Sequence, residues 1–202
     1  MTDRSTEKTK NMAPRTVQQY EEIRESKRNL ILETALELFG SEGYYPTSIS
    51  KIAKKAGISK GLIYNYFESK EDIIKSIMIK GFDDLLNVFD PNKDGTLTKE
   101  EIRFFIEQLF TIMQKDLHFW KLYFMIFMQP PVLKLVEKQF SELIYRSLDM
   151  LENYFRSIGH KDPRSEAILL GAIIDGIGFH MVMDPENFPV EKIRKRIIEM
   201  YC

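Results

Sequence analysis

The sequence predicts an all-α protein. Apolar residues recur at the three- and four-residue spacing of amphipathic helices in one segment after another, and neither a strand alternation nor an internal repeat is found. Residues that cap or stop helices, mainly Ser, Asp, Gly and Pro, separate these segments. The 202 residues, 44% of them hydrophobic, are enough for one large domain or two small ones with a sizeable core.

The composition favours a reducing compartment. Cys202 is the only cysteine, so the chain cannot form an internal disulfide. The first residues are polar and contain no apolar signal core. The longest apolar run, 168–182, is interrupted by Asp175 and His180, which argues against a membrane span. We therefore expect a cytoplasmic protein with no membrane partner.

The net charge of −1 hides a difference between the two parts of the chain. Residues 1–81 carry 14 Lys or Arg and 11 Asp or Glu, a net charge of +3. The rest holds 15 of the 29 cations and 19 of the 30 acids, a net charge of −4. A basic N-terminal part followed by an acidic part is typical of a nucleic-acid-binding head on a body that does not bind nucleic acid.

The helices begin behind a polar segment. Residues 1–15 are rich in Ser, Thr and Lys and predict a disordered tail, while 16–39 predict one long helix ended by Gly40 and Gly43.

The stretch from Thr47 to Lys70 predicts a helix-turn-helix. Ser48 can cap a short helix, Gly57 can end it in a left-handed turn, and Ser59 can cap a second helix. Five lysines against one acid give this stretch a cationic face that suits a phosphate backbone. A plain helical hairpin with a solvated basic face is the alternative at this point.

The stretch also resembles the DNA-binding signature of the TetR family of transcriptional regulators, without a gap. The resemblance rests on Ile52-Ala53, Ala56-Gly57-Ile58-Ser59-Lys60-Gly61, Tyr64-Asn65-Tyr66-Phe67 and Ser69-Lys70. Upstream, Ala35, Leu38, Phe39, Gly43 and Tyr44 resemble the family's first helix and turn. Asn65 stands where His is common and Ser48 where Thr is common, which bears on the operator that is read.

The resemblance implies a TetR-like fold of nine or ten helices. A three-helix DNA-binding head with the helix-turn-helix would be followed by a helical body for ligand binding and dimerisation. We expect a disordered tail at 1–19, the head at 20–84 and the body at 85–202. The DNA-binding residues implied are Ser48, Lys60, Gly61, Tyr64, Asn65, Tyr66 and Lys70, with Lys60 and Asn65 at base edges and the tyrosines, Ser48 and Lys70 at phosphates.

The segment 90–101, between predicted helices 70–89 and 100–114, resembles an EF-hand calcium loop. Gly95 stands at the sharp turn, and the residues at ligand positions are Asp90, Asn92, Asp94, Thr96, Thr98 and Glu101. A capped interhelix loop that binds no ion is the alternative, because such loops are rich in Asp, Asn and Gly. No second loop of this kind is found, although EF-hands usually work in pairs.

Further helices are predicted at 117–128, 132–158, 163–183 and 189–201. The first is dense in aromatic residues, which predict either core packing or, by the TetR resemblance, a pocket for a small apolar or aromatic effector. The candidate pocket residues are Phe105, His118, Trp120, Tyr123, Phe124, Phe127 and His180. The resemblance also implies a homodimer through 163–183 and 189–201, with 132–158 as a further contributor.

Two functions from different classes follow. The first is a dimeric DNA-binding regulator, a repressor released from its double-stranded operator by a small-molecule effector. The second is a calcium-binding or calcium-responsive protein using the loop 90–101. No catalytic constellation is found, since the three His residues have neither metal-ligand nor triad spacing. We therefore predict no enzyme activity and no required cofactor.

Overall fold

The computed structural model describes residues 16–202, so the tail predicted at 1–15 lies outside the described residues. The helices are α1 (Val17–Glu42), α2 (Ile49–Ala56), α3 (Lys60–Tyr64), α4 (Lys70–Phe89), α5 (Lys99–Lys115), α6 (Leu117–Phe127), α7 (Pro130–Ser157), α8 (Pro163–Met183) and α9 (Val190–Tyr201). No strand occurs between residues 16 and 202. The all-α prediction is confirmed, and residues 17–19, which the predicted tail included, are helical.

The first helix is longer than its sequence predicts. Thr16 and Gln19 form a capping box at its start, and Gly43, with φ of +92°, ends it. Gly40 lies inside the helix and does not stop it. A Cβ at this glycine would lie 2.5 Å from Leu122 Cδ2 of α6, so the missing side chain serves close helix packing.

Helices α1 to α4 form the head. Their core is built on α1, where Ile31, Ala35 and Phe39 are fully buried, and it is completed by Ile52 of α2 and Ile63 of α3. Each short helix contributes one apolar face, and the remaining side chains face solvent. The long α4 continues from the head into the body, where α5 packs against it.

The body consists of α5 to α9 together with the second half of α4. Helix α8 packs along α7, and α9 packs on α5. Phe110 and Phe155 are fully buried, and the Tyr154 hydroxyl donates to the Tyr201 carbonyl oxygen at 3.0 Å. These contacts fix α9 to the protomer's own core.

Helix α6 packs closely against three other helices. Consecutive residues Leu122, Tyr123 and Phe124 lie over Gly40 of α1, Gly81 of α4 and Gly178 of α8 respectively. A Cβ at the α8 glycine would lie 3.1 Å from Phe124 Cζ, and one at the α4 glycine would be closer still to the Tyr123 ring. Because protein interiors are close-packed, these positions leave little room for a larger residue. Helix α6 therefore contacts α1 of the head, the connecting helix α4, and α8 of the body.

Helix α8 is long and apolar enough to cross a membrane by length and composition alone, with a mean hydropathy of 1.6. In the fold it packs against α7 and α6, and Ala167 and Leu170 are fully buried there. Core helices of globular proteins commonly have this composition.

Candidate nucleic-acid interface and effector site

The helix-turn-helix is held together by local contacts. The Ser48 hydroxyl accepts from the Lys51 N–H at 3.2 Å, and the Ser59 hydroxyl accepts from the Leu62 N–H at 3.1 Å. Gly57 adopts the left-handed conformation between the two helices, with φ of +66°. These caps satisfy the free N–H groups of the first turns, so the sequence itself determines where α2 and α3 begin and end.

The predicted DNA-binding residues share the outer surface of this unit. Ser48, Lys60, Gly61, Tyr64 and Asn65 are exposed, whereas Tyr66 is half-buried. The Lys60 ammonium lies 5.8 Å from the centroid of the Tyr64 ring, and the Tyr64 side chain is 49% exposed. This geometry leaves a cation, an aromatic hydroxyl and an amide free to reach one ligand surface.

Lys70, the last predicted DNA-binding residue, contacts the turn after α1. Its ammonium donates to the Tyr44 carbonyl oxygen at 2.9 Å and lies 4.2 Å from the centroid of the Tyr44 ring. It also donates to the Tyr45 carbonyl oxygen at 3.4 Å, and because an ammonium has three donors, one is left for a phosphate at the start of α4. Lys70 therefore also anchors the turn against α4, a role that its sequence position does not reveal.

Tyr44 is the centre of this anchor. It is buried, and its hydroxyl donates to Glu71 at 2.8 Å. Burial, and then the Glu71 carboxylate, raise the pKa of Tyr44 well above its ordinary value. The pKa of Glu71 is lowered by a hydrogen bond from its own backbone N–H and then by the Tyr44 hydroxyl. The tyrosine thus stays neutral and the carboxylate ionised.

Gln129 ties the same turn to the body. Its side-chain oxygen accepts from the Tyr44 N–H at 2.9 Å, and its amide nitrogen donates to the Phe39 carbonyl oxygen at 3.2 Å. Gln129 is the N-cap residue of α7, directly after α6. Both bonds are therefore polar contacts between the body and the end of α1, and sequence reasoning did not find them because the partners are 85 and 90 residues apart.

The predicted effector residues do not line one cavity. Phe105, Trp120 and Tyr123 are buried in aromatic packing, and Tyr123 stacks on Phe127 with centroids 6.4 Å apart. The Tyr123 hydroxyl donates to the Met78 carbonyl oxygen at 3.0 Å, and burial raises its pKa. Phe124 packs over Gly178, while the remaining two members of the set, His118 and His180, are exposed. Tyr123, Phe124 and Phe127 of α6 thus pack against protein side chains in this structure.

A cleft of about 810 Å³ opens instead between the head and the body. Of the predicted effector residues, it is lined by Trp120 and His118, and the His118 Nε2 atom lies 2.5 Å from Glu37 Oε1 of α1. The lining is completed by α1, α4, the end of α5 and Lys55 of α2. Its volume is within the range of small-molecule sites.

The loop 90–98 between α4 and α5 is closed by its own hydrogen bonds. Asp90 accepts from the Gly95 N–H at 3.2 Å, and the Asn92 amide donates to Asp94 at 3.0 Å and to Glu101 at 2.9 Å. Glu101 also forms a capping box with the N-cap threonine of α5. Through residues 16–202, no group of three or more His, Cys, Asp or Glu side chains is placed to hold a metal ion.

This arrangement does not support the EF-hand interpretation. The amide nitrogen of Asn92, and not an oxygen ligand, faces the carboxylates of Asp94 and Glu101. Hydrogen bonds from Thr96, its hydroxyl first, lower the pKa of Asp94. The acidic side chains thus act as acceptors for the loop's own donors, as in an interhelix loop with capped ends, except for Asp90 Oδ1, which is buried without a hydrogen-bond partner among residues 16–202. The predicted calcium ligands find no support in these contacts.

Comparison with known proteins identifies the head. Residues 31–77 match the family model described as bacterial regulatory proteins, tetR family. These residues include the second part of α1, the whole helix-turn-helix and the first part of α4. The TetR resemblance of the signature is confirmed for this part of the chain.

Several curated relatives are regulators. The chain is 32% identical to the fatty acid metabolism regulator protein of Bacillus subtilis over 87 residues, 43% of this chain and 45% of the relative. It is 25% identical to the HTH-type transcriptional regulator BetI 1 of Chromohalobacter salexigens over 178 residues, 84% of this chain and 85% of the relative. The match spans less than half the length of the Bacillus relative.

Solved structures show the fold of most of the chain. The fatty acid degradation regulator FadR from Bacillus halodurans superposes with a TM-score of 0.68 at 19% identity, covering 86% of this chain and 96% of that protein. FadR from Bacillus subtilis, in complex with stearoyl-CoA, gives a TM-score of 0.67 at 22% identity, with the same coverage. The head thus matches the tetR family model, and the chain has the overall fold of these solved regulators.

Proposed function

We propose that the protein is a DNA-binding transcriptional regulator, a repressor that a small-molecule effector releases from its operator. The observation that carries this is the exposed face of α2 and α3, with its lysines, Tyr64 and Asn65, in a segment that matches the tetR model. Cationic side chains supply affinity for the phosphate backbone, and groups that reach base edges supply specificity. Such a protein works in the cytoplasm, where its DNA lies, and needs no enzymatic activity.

Roles for individual residues follow from their placement. Lys60 and Asn65 lie on the exposed face and would reach base edges in the major groove, since Lys suits guanine and Asn suits adenine. Tyr64, Ser48 and the backbone at Gly61 would contact phosphates and so set the register. Tyr66 and Lys70 would hold phosphates from the edge of the unit.

We infer a homodimer in which α7 and α8 of the two copies form the interface. Large apolar side chains are exposed on these two helices, among them Ile144, Tyr145, Leu169, Phe179 and Met183. Burying them would supply the driving force that an obligate interface needs. Helix α9 was also predicted to contribute, but its buried residues Ile197 and Tyr201 face its own protomer. Two heads could then bind half-sites one helical turn apart.

The effector is expected to be apolar. The structural neighbours include a FadR in complex with stearoyl-CoA and a SmeT–triclosan complex, and both ligands have large apolar parts. An apolar or aromatic effector would suit a body rich in Phe, Tyr and Met.

Selection from a random duplex library with the purified full chain tests this proposal. Enrichment of a palindromic site is expected. Lys60→Ala and Asn65→Ala should each lose about 1–3 kcal/mol of discrimination at one position of each half-site, whereas Lys70→Ala should weaken all sequences alike. Lys192→Ala, at an exposed position of α9 outside the inferred interface, is the matched control and should leave binding unchanged. A library in which no site is enriched would refute the proposal.

The alternative, a calcium-responsive protein, rests on the sequence of the loop and on one buried carboxylate oxygen, Asp90 Oδ1, that has no hydrogen-bond partner among residues 16–202. Calorimetry of the purified chain with calcium would decide it. A heat of calcium binding that Glu101→Gln abolishes would support the alternative. If the parent shows no heat of calcium binding, the calcium-responsive alternative is refuted.

A further inference from the structure

The start of α1 projects beyond the core of the head. Residues 17–26 are all exposed, Lys27 and Arg28 are half-buried, and Ile31 is the first fully buried residue of the helix. We call residues 17–28 the overhang; at 1.5 Å per residue it is about 18 Å long. Within residues 16–202 its side-chain hydrogen bonds stay inside the helix and its cap. Most of its side chains thus take no part in the head's own core.

One line of side chains on the overhang is cationic and aromatic. Spacings of four, three and four residues put Tyr20, Arg24 and Lys27 in line with Ile31, which faces the core. Tyr20 is 59% exposed, and neither cation forms an ion pair within the described part of the chain. We call this line the inner side of the overhang.

The acids of the overhang lie mainly on another side of the helix. Glu22 and Glu25 align with Gln18 and Asn29 on the outer side, where the Gln18 amide donates to Glu22 at 3.2 Å. Glu21 stands at the border between the two sides. The overhang holds three cations and three acids, so it has no net charge. The inner side is positive because the charges are sorted around the helix.

The overhang leaves the head beside the end of α3. The Arg28 guanidinium carbon lies 5.3 Å from the centroid of the Phe67 ring, and Phe67 follows Asn65 of the exposed helix-turn-helix face by two residues. Ile31 shares the head core with Ile63 of α3. Since α3 is buried at Ile63 and exposed on its other side, the inner side of the overhang looks past the core toward that exposed face.

We propose that the inner side of the overhang is a second DNA contact, which binds the phosphate backbone of the duplex that the helix-turn-helix reads. Arg24 and Lys27 would pair with phosphates, and Tyr20 would donate its hydroxyl to one. Such contacts raise affinity without reading sequence, because phosphates carry no base information. The inference rests on the proposed function, to which it adds an interaction surface outside α2, α3 and the start of α4.

Matched substitutions separate a contact from a change in net charge. On the selected operator and on unrelated duplexes, Arg24→Gln and Lys27→Gln should each weaken binding about threefold, the scale of an exposed ion pair. Each should also lower the slope of log affinity against log salt by about one. Gln18→Glu makes the same change in net charge on the outer side, and it should change the affinity by less than about twofold. Circular dichroism and melting temperature should match the parent in all three variants.

Phosphate ethylation interference locates the contact on the operator. Some phosphates should be required by the parent and not by Arg24→Gln/Lys27→Gln, whereas those held by Lys70 should be required by both. The overhang is not a DNA contact if the single variants keep the parent's affinity and salt slope, if Gln18→Glu weakens binding as much as they do, or if the ethylation pattern is the same in parent and double variant. These results would leave the proposed function intact when the parent enriches a site, and a parent that enriches none would refute both.

Discussion

Replacing Gln129 with Ala should loosen the contact between the head and the body. The glutamine accepts from the Tyr44 N–H at 2.9 Å and donates to the Phe39 carbonyl oxygen at 3.2 Å. That carbonyl oxygen keeps a second bond, from the Gly43 N–H at 3.1 Å, whereas the Tyr44 N–H has no other partner within the described chain. The free energy lost in Gln129→Ala therefore comes mainly from the Tyr44 N–H, which is left without a hydrogen-bond partner.

An unsatisfied buried donor costs about 1–3 kcal/mol. For a chain of this size, the melting temperature falls by roughly 2–4 °C for each kcal/mol lost. Gln129→Glu keeps the acceptor for the Tyr44 N–H and loses only the donor, so its cost should be smaller than that of Gln129→Ala. Gln114→Ala, at an exposed site of α5, controls for the loss of a Gln side chain and should be nearly neutral.

Urea unfolding monitored by circular dichroism measures the change in free energy. We expect the largest loss of unfolding free energy for Gln129→Ala, a smaller loss for Gln129→Glu and the smallest for Gln114→Ala. If Gln129→Ala unfolds at the same urea concentration as the parent, the two hydrogen bonds do not hold the head to the body. If Gln129→Glu is as damaging as Gln129→Ala, the Tyr44 N–H is not the group that matters.

Three further predictions follow from contacts in the head, the body and the loop between α4 and α5. Gly81→Ala should destabilise the fold by about 1–3 kcal/mol in a thermal melt, because its Cβ would overlap the buried Tyr123 ring; an unchanged or higher melting temperature would contradict this. Glu101→Gln should lower the free energy of unfolding by about 1 kcal/mol or less through the weakened capping box, equally in calcium and in chelator. A loss of stability seen only in calcium would show that the loop binds the ion. The lowered pKa of Glu71 implies stability present above the carboxyl's ordinary pKa and lost as pH falls through the lowered value, so acid unfolding of Tyr44→Phe should show a shallower pH dependence than that of the parent.

Much of the head could be predicted because its signals are local. Ser48, Gly57 and Ser59 determine the ends of α2 and α3 through bonds to residues within five positions, and the structure has each of them in the expected role. The end of α1 was mispredicted at Gly40, since a glycine looks the same in a sequence whether it stops a helix or makes room for a neighbour. Only the position of Leu122 distinguishes the two.

Whether the aromatic residues of α6 line a pocket could not be predicted for a related reason. Aromatic residues at helical spacing, such as Tyr123 and Phe127, indicate a buried face but not whether that face meets protein or ligand. The cleft brings together residues of α1, α2, α4, α5 and α6, and no local pattern records that arrangement. The segment 90–101 shows that a nearly complete local pattern can also mislead. Its residues match the ligand positions of a calcium loop, but their hydrogen bonds to one another account for the same residue types.

The contacts of α6 explain why an event in the body would be felt at the DNA. Leu122 lies over Gly40 of α1, and the end of that helix is hydrogen-bonded to Gln129. Tyr123 lies over Gly81 of α4, the helix that begins with Lys70. A shift of α6 therefore acts on the turn at residues 43–45 through packing on one side and through hydrogen bonds on the other. Since close-packed contacts cannot absorb such a shift by compression, α1 and α4 must move with it, and so must α2, which packs on α1, and α3, which packs on α2.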